Sequence, residues 1–149
     1  MRVVVQRVTS AKVVINKEVA GKIKDGLLLL VGFTEGDSAA RVDYMIKKIV
    51  NLRIFPDDEG KMNKSVIDIN GEILSISQFT LYGSVEEGNR PSFTRALSAP
   101  LASILYDTFN ERLSELIHVE KGIFGSDMKV TLTNDGPVTI IINSKGEIK

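Results

Sequence analysis

The sequence predicts a three-layer domain of the α/β or α+β class, with helices packed on one side of the sheets. Short apolar stretches separated by turn residues recur along the chain and are typical of strands. Two longer stretches carry apolar residues at helical spacing. The chain has 149 residues, of which 43% are hydrophobic, and this falls within the usual size of one domain. We therefore expect one domain over residues 1–149.

The first half of the chain predicts four strands, a helix and a fifth strand that ends at Pro56. The strands are expected at residues 2–8, 12–15, 19–23, 27–33 and 51–55. The helix is expected over residues 38–50, with Asp37 or Ser38 as its cap. Its buried face should consist of Val42, Met45, Ile46, Ile49 and Val50.

The second half predicts a strand, a loop, a second helix and three more strands. Residues 72–79 form the strand, which breaks at Thr80, and residues 83–95 form the loop. Ser98 and Pro100 should open a helix that continues to about residue 117. Its predicted buried stripe contains Leu101, Leu105, Phe109, Leu113 and Leu116. The last strands are expected at 118–121, 128–133 and 138–143.

The composition excludes several classes of protein. Without cysteine and with His118 as the only histidine, the chain has no thiolate nucleophile and no cysteine zinc site. Lys and Arg number 19, as do Asp and Glu, so the chain lacks the cationic surplus of a protein that coats nucleic acid. Neither a membrane span nor a signal peptide is predicted. We expect a cytoplasmic protein without metal, cofactor, membrane or DNA, while binding to one end of an RNA stays open.

The run Ser77-Gln78-Phe79-Thr80 is the first candidate for a functional site. It lies at the end of a predicted strand, where backbone N–H groups become free and can stabilise an oxyanion. The same residues could simply end the strand, and the pattern does not decide between these interpretations. His118 follows a predicted helix end and is better explained by contacts with terminal carbonyls than by a Ser-His-Asp triad.

Two further segments contain candidate residues. The segment 134–137 has the sequence Asn-Asp-Gly-Pro, which is typical of a hairpin turn, and the frequencies of X–Pro bonds favour a trans bond there. The segment 122–128 contains two glycines with Phe124 and Met128. An aromatic ring and a thioether on such a loop can sandwich a nucleobase, and they can equally fill a local core.

These segments belong to a set of ordered runs that resembles one family along essentially the whole chain, the D-aminoacyl-tRNA deacylases, formerly called D-tyrosyl-tRNA deacylases. The runs are Val5-Gln6-Arg7-Val8, Asn51-Leu52-Arg53-Ile54-Phe55, Ser77-Gln78-Phe79-Thr80-Leu81, Gly88-Asn89-Arg90-Pro91-Ser92-Phe93, Phe124-Gly125 with Met128, and Asn134-Asp135-Gly136-Pro137-Val138-Thr139. Several runs in this order are much more specific than any single one.

The resemblance implies a β/β/α deacylase-like fold with mixed sheets and two main helices. It also implies a homodimeric editing enzyme that hydrolyses the ester of D-aminoacyl-tRNA, and of mischarged glycyl-tRNA, to free tRNA and amino acid. In such enzymes the bond between Gly136 and Pro137 would be cis. The two residues would reach into the partner subunit's pocket and exclude L-amino acids sterically.

The resemblance further implies the role of each site residue. Backbone N–H groups of Phe79 and Thr80 would face the ester carbonyl, and Ser77 and Gln78 would shape the pocket. Phe124 and Met128 would hold the adenine of the 3′-terminal adenosine, whose 2′-hydroxyl would assist the reaction. An aminoacyl ester is already activated, so a fixed substrate, an oxyanion site and a water can suffice without a protein nucleophile.

Three alternatives stay open at this point. Thr80 could act as a nucleophile, although no neighbouring base is evident in the sequence. The chain could be a binding module that holds the tRNA terminus or a protein without releasing the amino acid. It could also be an esterase for small molecules, which would form a covalent adduct on Thr80 or Ser77.

Overall fold

The computed structural model describes residues 1–144. Its strands are β1 Arg2–Ile15, β2 Glu18–Ile23, β3 Gly26–Gly32, β4 Phe55–Pro56, β5 Met62–Lys64, β6 Glu72–Ser77, β7 Val119–Lys121 and β8 Lys129–Asn143. Its helices are α1 Ala39–Val50 and α2 Ala99–Ser114, and a 3₁₀ turn, Phe79–Tyr82, follows β6. Neither helix in this part of the chain has the length and hydrophobicity needed to cross a membrane.

Strand β1 is the centre of a six-stranded mixed sheet. One of its edges pairs antiparallel with β3 and then with β2, and its other edge pairs antiparallel with β8. Strands β6 and β7 continue the sheet beyond β3 in parallel orientation. Strands β4 and β5 form a separate two-stranded sheet. The predicted mixed sheet with two main helices is therefore confirmed.

The apolar side chains form two cores on opposite faces of the sheet. Because side chains alternate along a strand, Leu27 and Leu29 of β3 face the core that contains α1 and α2. Leu28 faces the other core, together with Val13 of β1 and Ile23 of β2. The second half of β1, with its partners β2 and β8, thus folds over the face of β3 and β6 that is opposite the helices. Helices, sheet and curled sheet make the three predicted layers.

Two predictions about strands in the N-terminal half of the chain were wrong. Residues 2–8 and 12–15 are one strand, because residues between them, such as Ser10, stay paired with β8. Of the predicted strand 51–55, only Phe55 lies in a strand, where it pairs with Lys64 of β5. Asn51 instead caps α1, and β5 was not predicted.

The two helices differ in how well their buried faces were predicted. All five apolar residues predicted for α1 are buried, and Ser38 is its cap. The stripe predicted for α2 was wrong at both ends, since Leu101 and Leu116 are more than half exposed. The buried face is rotated by about one residue, and α2 ends at Ser114. Its buried residues are Ala102, Tyr106, Phe109, Asn110 and Leu113.

A buried ion pair joins the start of β1 to the start of α1. The α-amino group of Met1 donates to Asp37 Oδ1 over 2.6 Å and to Ser144 Oγ over 3.0 Å. The other carboxylate oxygen of Asp37 accepts from the backbone N–H of Thr34 over 2.8 Å. Burial lowers the pKa of the Met1 amine to about 6, against the opposing effect of Asp37. The pair therefore depends on the Asp37 carboxylate.

At about pH 5, below the pKa of the Met1 amine, replacing Asp37 with asparagine should lower the free energy of unfolding by about 3 kcal/mol, because the charged buried amine loses its counter-charge. The matched control is Asp43→Asn, which removes the exposed ion pair between Asp43 and Arg112 and should change stability by less than about 1 kcal/mol. Urea denaturation of the three proteins measures both effects. If both variants lost the same free energy of unfolding, the buried pair would not stabilise the fold more than the exposed one.

Candidate active site

The backbone at the end of β6 leaves two N–H groups without acceptors. Gln78 makes the last bond of the strand, from its N–H to the carbonyl of Val31 over 2.7 Å. The chain then turns into the 3₁₀ turn, whose first N–H groups, those of Phe79 and Thr80, have no hydrogen-bond acceptor within residues 1–144. Adjacent free N–H groups of this kind can stabilise a developing oxyanion.

The side chains of this run provide hydrogen-bonding groups but no activated nucleophile. The Thr80 hydroxyl accepts a hydrogen bond from Gln78 Nε2. His118 lies at the start of β7, 3.7 Å from Glu72 and 3.4 Å from Glu120. Because Glu72 begins β6 and Ser77 ends it, His118 is about 16 Å from the turn along the strand. It cannot act as a base for Thr80.

An apolar cavity of about 380 Å³ lies beside the turn. The rings of Phe79 and Phe93 meet edge to face at 5.0 Å on its wall, and Phe79 is 55% exposed. The full lining is Ser77, Phe79, Phe93, Ala96, Leu97, Ala99, Ala102, Phe124 and Gly125. The structure thus brings Ser77, Phe79 and Phe124 together, whereas Met128 does not line the cavity. Phe93 was not among the predicted site residues.

The sulfur of Met128 instead lies directly beneath Gly122, at the start of the segment that carries Phe124. A Cβ atom at Gly122 would be 2.4 Å from this sulfur. Met128 also packs against the core that contains Leu28, on the face of the sheet opposite the helices. The thioether of Met128 therefore supports the segment 122–128 through its contact with Gly122 and does not face the cavity.

The carbonyl of Ser75 connects three parts of the cavity wall. It accepts from the Tyr106 hydroxyl over 2.8 Å and from the backbone N–H of Gly122 over 3.2 Å. The Tyr106 ring also lies 6.1 Å from the ring of Phe124. Burial raises the pKa of Tyr106, so the hydroxyl stays protonated and donates. Strand β6, helix α2 and the Phe124 segment are thereby fixed relative to one another.

The segment 134–137 is not the hairpin turn that the sequence predicted. Both flanking segments pair with β1 in the same direction, Asn134 opposite Val8 and Thr139 opposite Gln6. The additional residues of β8 have no partners on β1, so they bulge from the strand opposite Arg7. The Gly136-Pro137 bond is cis, and Gly136 has φ 129°, which favours glycine.

Arg7 fixes this bulge, a role that was not predicted from the sequence. Its Nε donates to the carbonyl of Asp135 over 3.0 Å, and its Nη1 donates to the carbonyl of Ile54 over 2.7 Å. The side chain of Asn134 closes the other end, because its Oδ1 accepts from the N–H of Val138 over 2.8 Å. The signal in the sequence was a polar pair, Gln6 and Arg7, within the apolar run from Val3 to Val8.

The two predicted halves of the site are far apart within one chain. Ser77 is in register with Val31 and, through it, with Val3 of β1, whereas the bulge lies opposite Arg7 on the far side of β1. Three strand spacings across the sheet and about four residues along it separate them by about 20 Å. Gly136 and Pro137 are both exposed.

Comparisons with known proteins identify the family. The D-Tyr-tRNA(Tyr) deacylase family model matches residues 4–143. The structure of a c-Myc DNA Unwinding Element Binding Protein is 41% identical, with a TM-score of 0.92 over 97% of this chain and 99% of that chain. A probable eukaryotic D-amino acid tRNA deacylase has the same fold at 17% identity, with a TM-score of 0.82 over 95% of this chain and 97% of that one. The chain therefore belongs to the D-Tyr-tRNA(Tyr) deacylase family.

Proposed function

We propose that this protein hydrolyses the ester bond between a D-amino acid, or glycine, and the 3′-terminal adenosine of tRNA. The products are free tRNA and the free amino acid, and the reaction serves proofreading of translation in the cytoplasm. Membership of the deacylase family supports this proposal. The observation that carries it is the pair of free N–H groups at Phe79 and Thr80 beside an apolar cavity.

The catalytic step needs no protein nucleophile. The ester carbonyl oxygen accepts from the N–H groups of Phe79 and Thr80, which stabilise the negative charge that develops on it. A water, assisted by the 2′-hydroxyl of the terminal adenosine, attacks the carbonyl carbon. The bond between this carbon and the 3′-oxygen then breaks, and the 3′-oxygen takes up the proton that the water loses. Ser77 and Gln78 shape the pocket, and Gln78 also fixes the Thr80 hydroxyl. Positioning and the oxyanion site supply the rate enhancement.

The apolar cavity is the proposed site of the adenine. The exposed rings of Phe79 and Phe93 and the ring of Phe124 offer faces and edges on which a base can stack. Met128 contributes from beneath, through Gly122, by holding the segment that carries Phe124. In this arrangement the terminal nucleoside and the ester bond lie beside each other at the end of β6.

Selection against L-amino acids is assigned to the bulge at Gly136 and Pro137 of a second copy of the chain. Within one chain the bulge lies about 20 Å from Ser77 at the end of β6, which is too far for it to act as a gate there. Strand β8, which carries the bulge, has no partner on its outer edge among the described strands, and Ile141 on it is 63% exposed. A homodimer would cover this strand and bring each bulge to the other protomer's cavity.

A DNA-binding function, suggested by the name of the 41% identical relative, receives no comparable support. The chain has equal numbers of basic and acidic residues, 19 of each, whereas binding along a duplex depends on a surplus of cations. The free N–H pair and the apolar cavity beside it instead suit the 3′ end of an RNA that carries an ester.

Purified protein should release the amino acid from D-tyrosyl-tRNA and from glycyl-tRNA. It should act on L-tyrosyl-tRNA at least about a hundredfold more slowly, because the gate excludes the L side chain. The loss of labelled amino acid from tRNA measures all three rates. Binding of these tRNAs without release would instead support the binding module, and a covalent adduct on Thr80 or Ser77 would support the small-molecule esterase.

Thr80→Ala should slow deacylation of D-tyrosyl-tRNA only about fivefold, because the backbone donors remain and one hydrogen bond to Gln78 is lost. Single-turnover rates, with circular dichroism and tRNA binding as controls, measure this effect. A nucleophilic Thr80 predicts a loss of activity of about a thousandfold or more with folding and binding intact.

Gly136→Ala should increase hydrolysis of L-tyrosyl-tRNA about tenfold. A Cβ atom there would be 2.8 Å from Val138 Cγ2 and 3.0 Å from Arg7 Nη2, so the bulge must shift. Gly60→Ala is the control, since Gly60 also has a positive φ, 78°, but its Cβ would meet no atom within 4 Å.

The same variant tests whether the gate crosses the dimer. We would combine Gly136→Ala with Phe124→Ala in one heterodimer, purified through two different affinity tags. If the gate acts across the interface, the intact cavity receives the intact bulge, and discrimination against L-tyrosyl-tRNA returns to the wild-type level. If the gate acts within its own chain, the intact cavity keeps the altered bulge and discrimination stays weak.

A further inference from the structure

Two arginines flank Phe93 on the loop that borders the apolar cavity. Phe93 lines that cavity, whereas Arg90 and Arg95 line a neighbouring cavity of about 760 Å³ together with Ser92 and Thr94. The segment from Arg90 to Arg95 therefore separates the two cavities. It presents an aromatic ring to one of them and guanidinium groups to the other.

These two guanidinium groups differ from the other five in the chain. Each of the others donates to, or pairs with, a defined partner; the five are Arg2, Arg7, Arg41, Arg53 and Arg112. Arg90 and Arg95 are exposed, and neither guanidinium has a hydrogen bond or an ion pair with any residue from 1 to 144. Both keep their donors available for a ligand.

The backbone around these arginines is held in place. Ser84 and Ser92 exchange two backbone hydrogen bonds of 2.8 Å at the base of the loop. The carbonyl of Arg95 accepts from the Thr34 hydroxyl over 2.5 Å, and the N–H of Leu97 donates to the carbonyl of Phe33 over 3.0 Å. These hydrogen bonds fix the loop backbone, so they limit how far the guanidinium groups can move from the Phe93 ring.

Other positive charges lie on the same side of the 3₁₀ turn. Burial and the Asp37 carboxylate raise the pKa of the Tyr82 hydroxyl, and the charges of Arg2, Arg41 and Arg95 oppose that rise. The charges of Arg2, Arg41 and Arg95 thus all reach the Tyr82 hydroxyl, in a protein whose overall charge is balanced. Glu86 and Glu87 line the larger cavity as well, so an anion is expected beside the arginines and not throughout it.

We propose that Arg90 and Arg95 bind the phosphodiester backbone of the RNA strand that leads into the apolar cavity. The inference rests on the proposed function, because it takes the 3′-terminal nucleoside of tRNA as the occupant of that cavity. Cationic side chains that follow a backbone, interleaved with aromatic rings that stack on bases, are the common means of binding single-stranded nucleic acid. The arginines give affinity for the strand, and the cavity positions its last nucleoside.

The test compares two substrates that differ in their phosphates. One is D-tyrosyl-tRNA, and the other is adenosine esterified with D-tyrosine at its 3′ oxygen, which carries no phosphate. For Arg90→Ala and Arg95→Ala, KM for the tRNA should rise about tenfold each, with kcat unchanged. Both constants for the adenosine ester should stay at the wild-type values. Arg→Lys variants keep the charge and should recover most of the loss.

Salt dependence provides a second readout that general damage to the fold would not change in the same way. Each lost phosphate contact should lower the slope of log KM against log salt by about 0.7 for a single strand. Lys22→Ala is the control for removing an exposed cation elsewhere, on β2, and should leave both KM and the slope unchanged.

The outcomes separate this inference from the proposed function. If the wild-type protein hydrolyses neither substrate, the proposed function fails. If it hydrolyses both, but the arginine variants keep the wild-type KM and salt slope for tRNA, the phosphate-binding role is overturned and the deacylase activity stands. An equal loss on both substrates would also overturn it, because the arginines would then support the cavity itself.

Discussion

The pairing of β1 on both of its edges is the constraint on which the rest of this structure depends. β3 and β2 fix one edge, so β8 on the other edge must match a register that it cannot shift. Between Asn134 and Thr139 the chain has more residues than β1 can pair, and they must leave the ladder. The sheet itself thus creates the exposed Gly136-Pro137 bulge, and Arg7 of β1 ties the bulge down.

The same sheet determines where the chemistry can lie. Strand β6 ends against β3, and the 3₁₀ turn begins where its last strand bond is made. The N–H groups of Phe79 and Thr80 then have no partner because no strand continues there. With the bulge on one side of β1 and the turn on the other, a single chain holds two half-sites, and the proposed dimer is the simplest way to combine them.

How much the sequence could predict depended on the range of the interactions involved. Residues in α1 follow a local period, and every predicted position is buried. The start of α2 fits its period almost equally well in two rotations, so only the packing of Tyr106 and Phe109 into the core selects one. For the segment 134–137, local turn rules correctly indicate that the chain leaves the strand. They cannot indicate that β1 holds both flanks, since Arg7 and Asp135 are 128 residues apart.

Because the proposed oxyanion site consists of backbone N–H groups, side-chain substitutions should differ in how much they change activity. In the proposed mechanism a side-chain substitution at Thr80 keeps the backbone N–H group, so the oxyanion site persists, whereas the conformation of the turn is decisive. The Ser75 carbonyl, held by Tyr106 and Gly122, fixes that conformation from behind. The proposed selectivity is the opposite case, because it would depend on the position of Gly136, where one added methyl group would meet Val138 and Arg7. In the proposed mechanism, rate and chirality are therefore set by different parts of the sheet and can change separately.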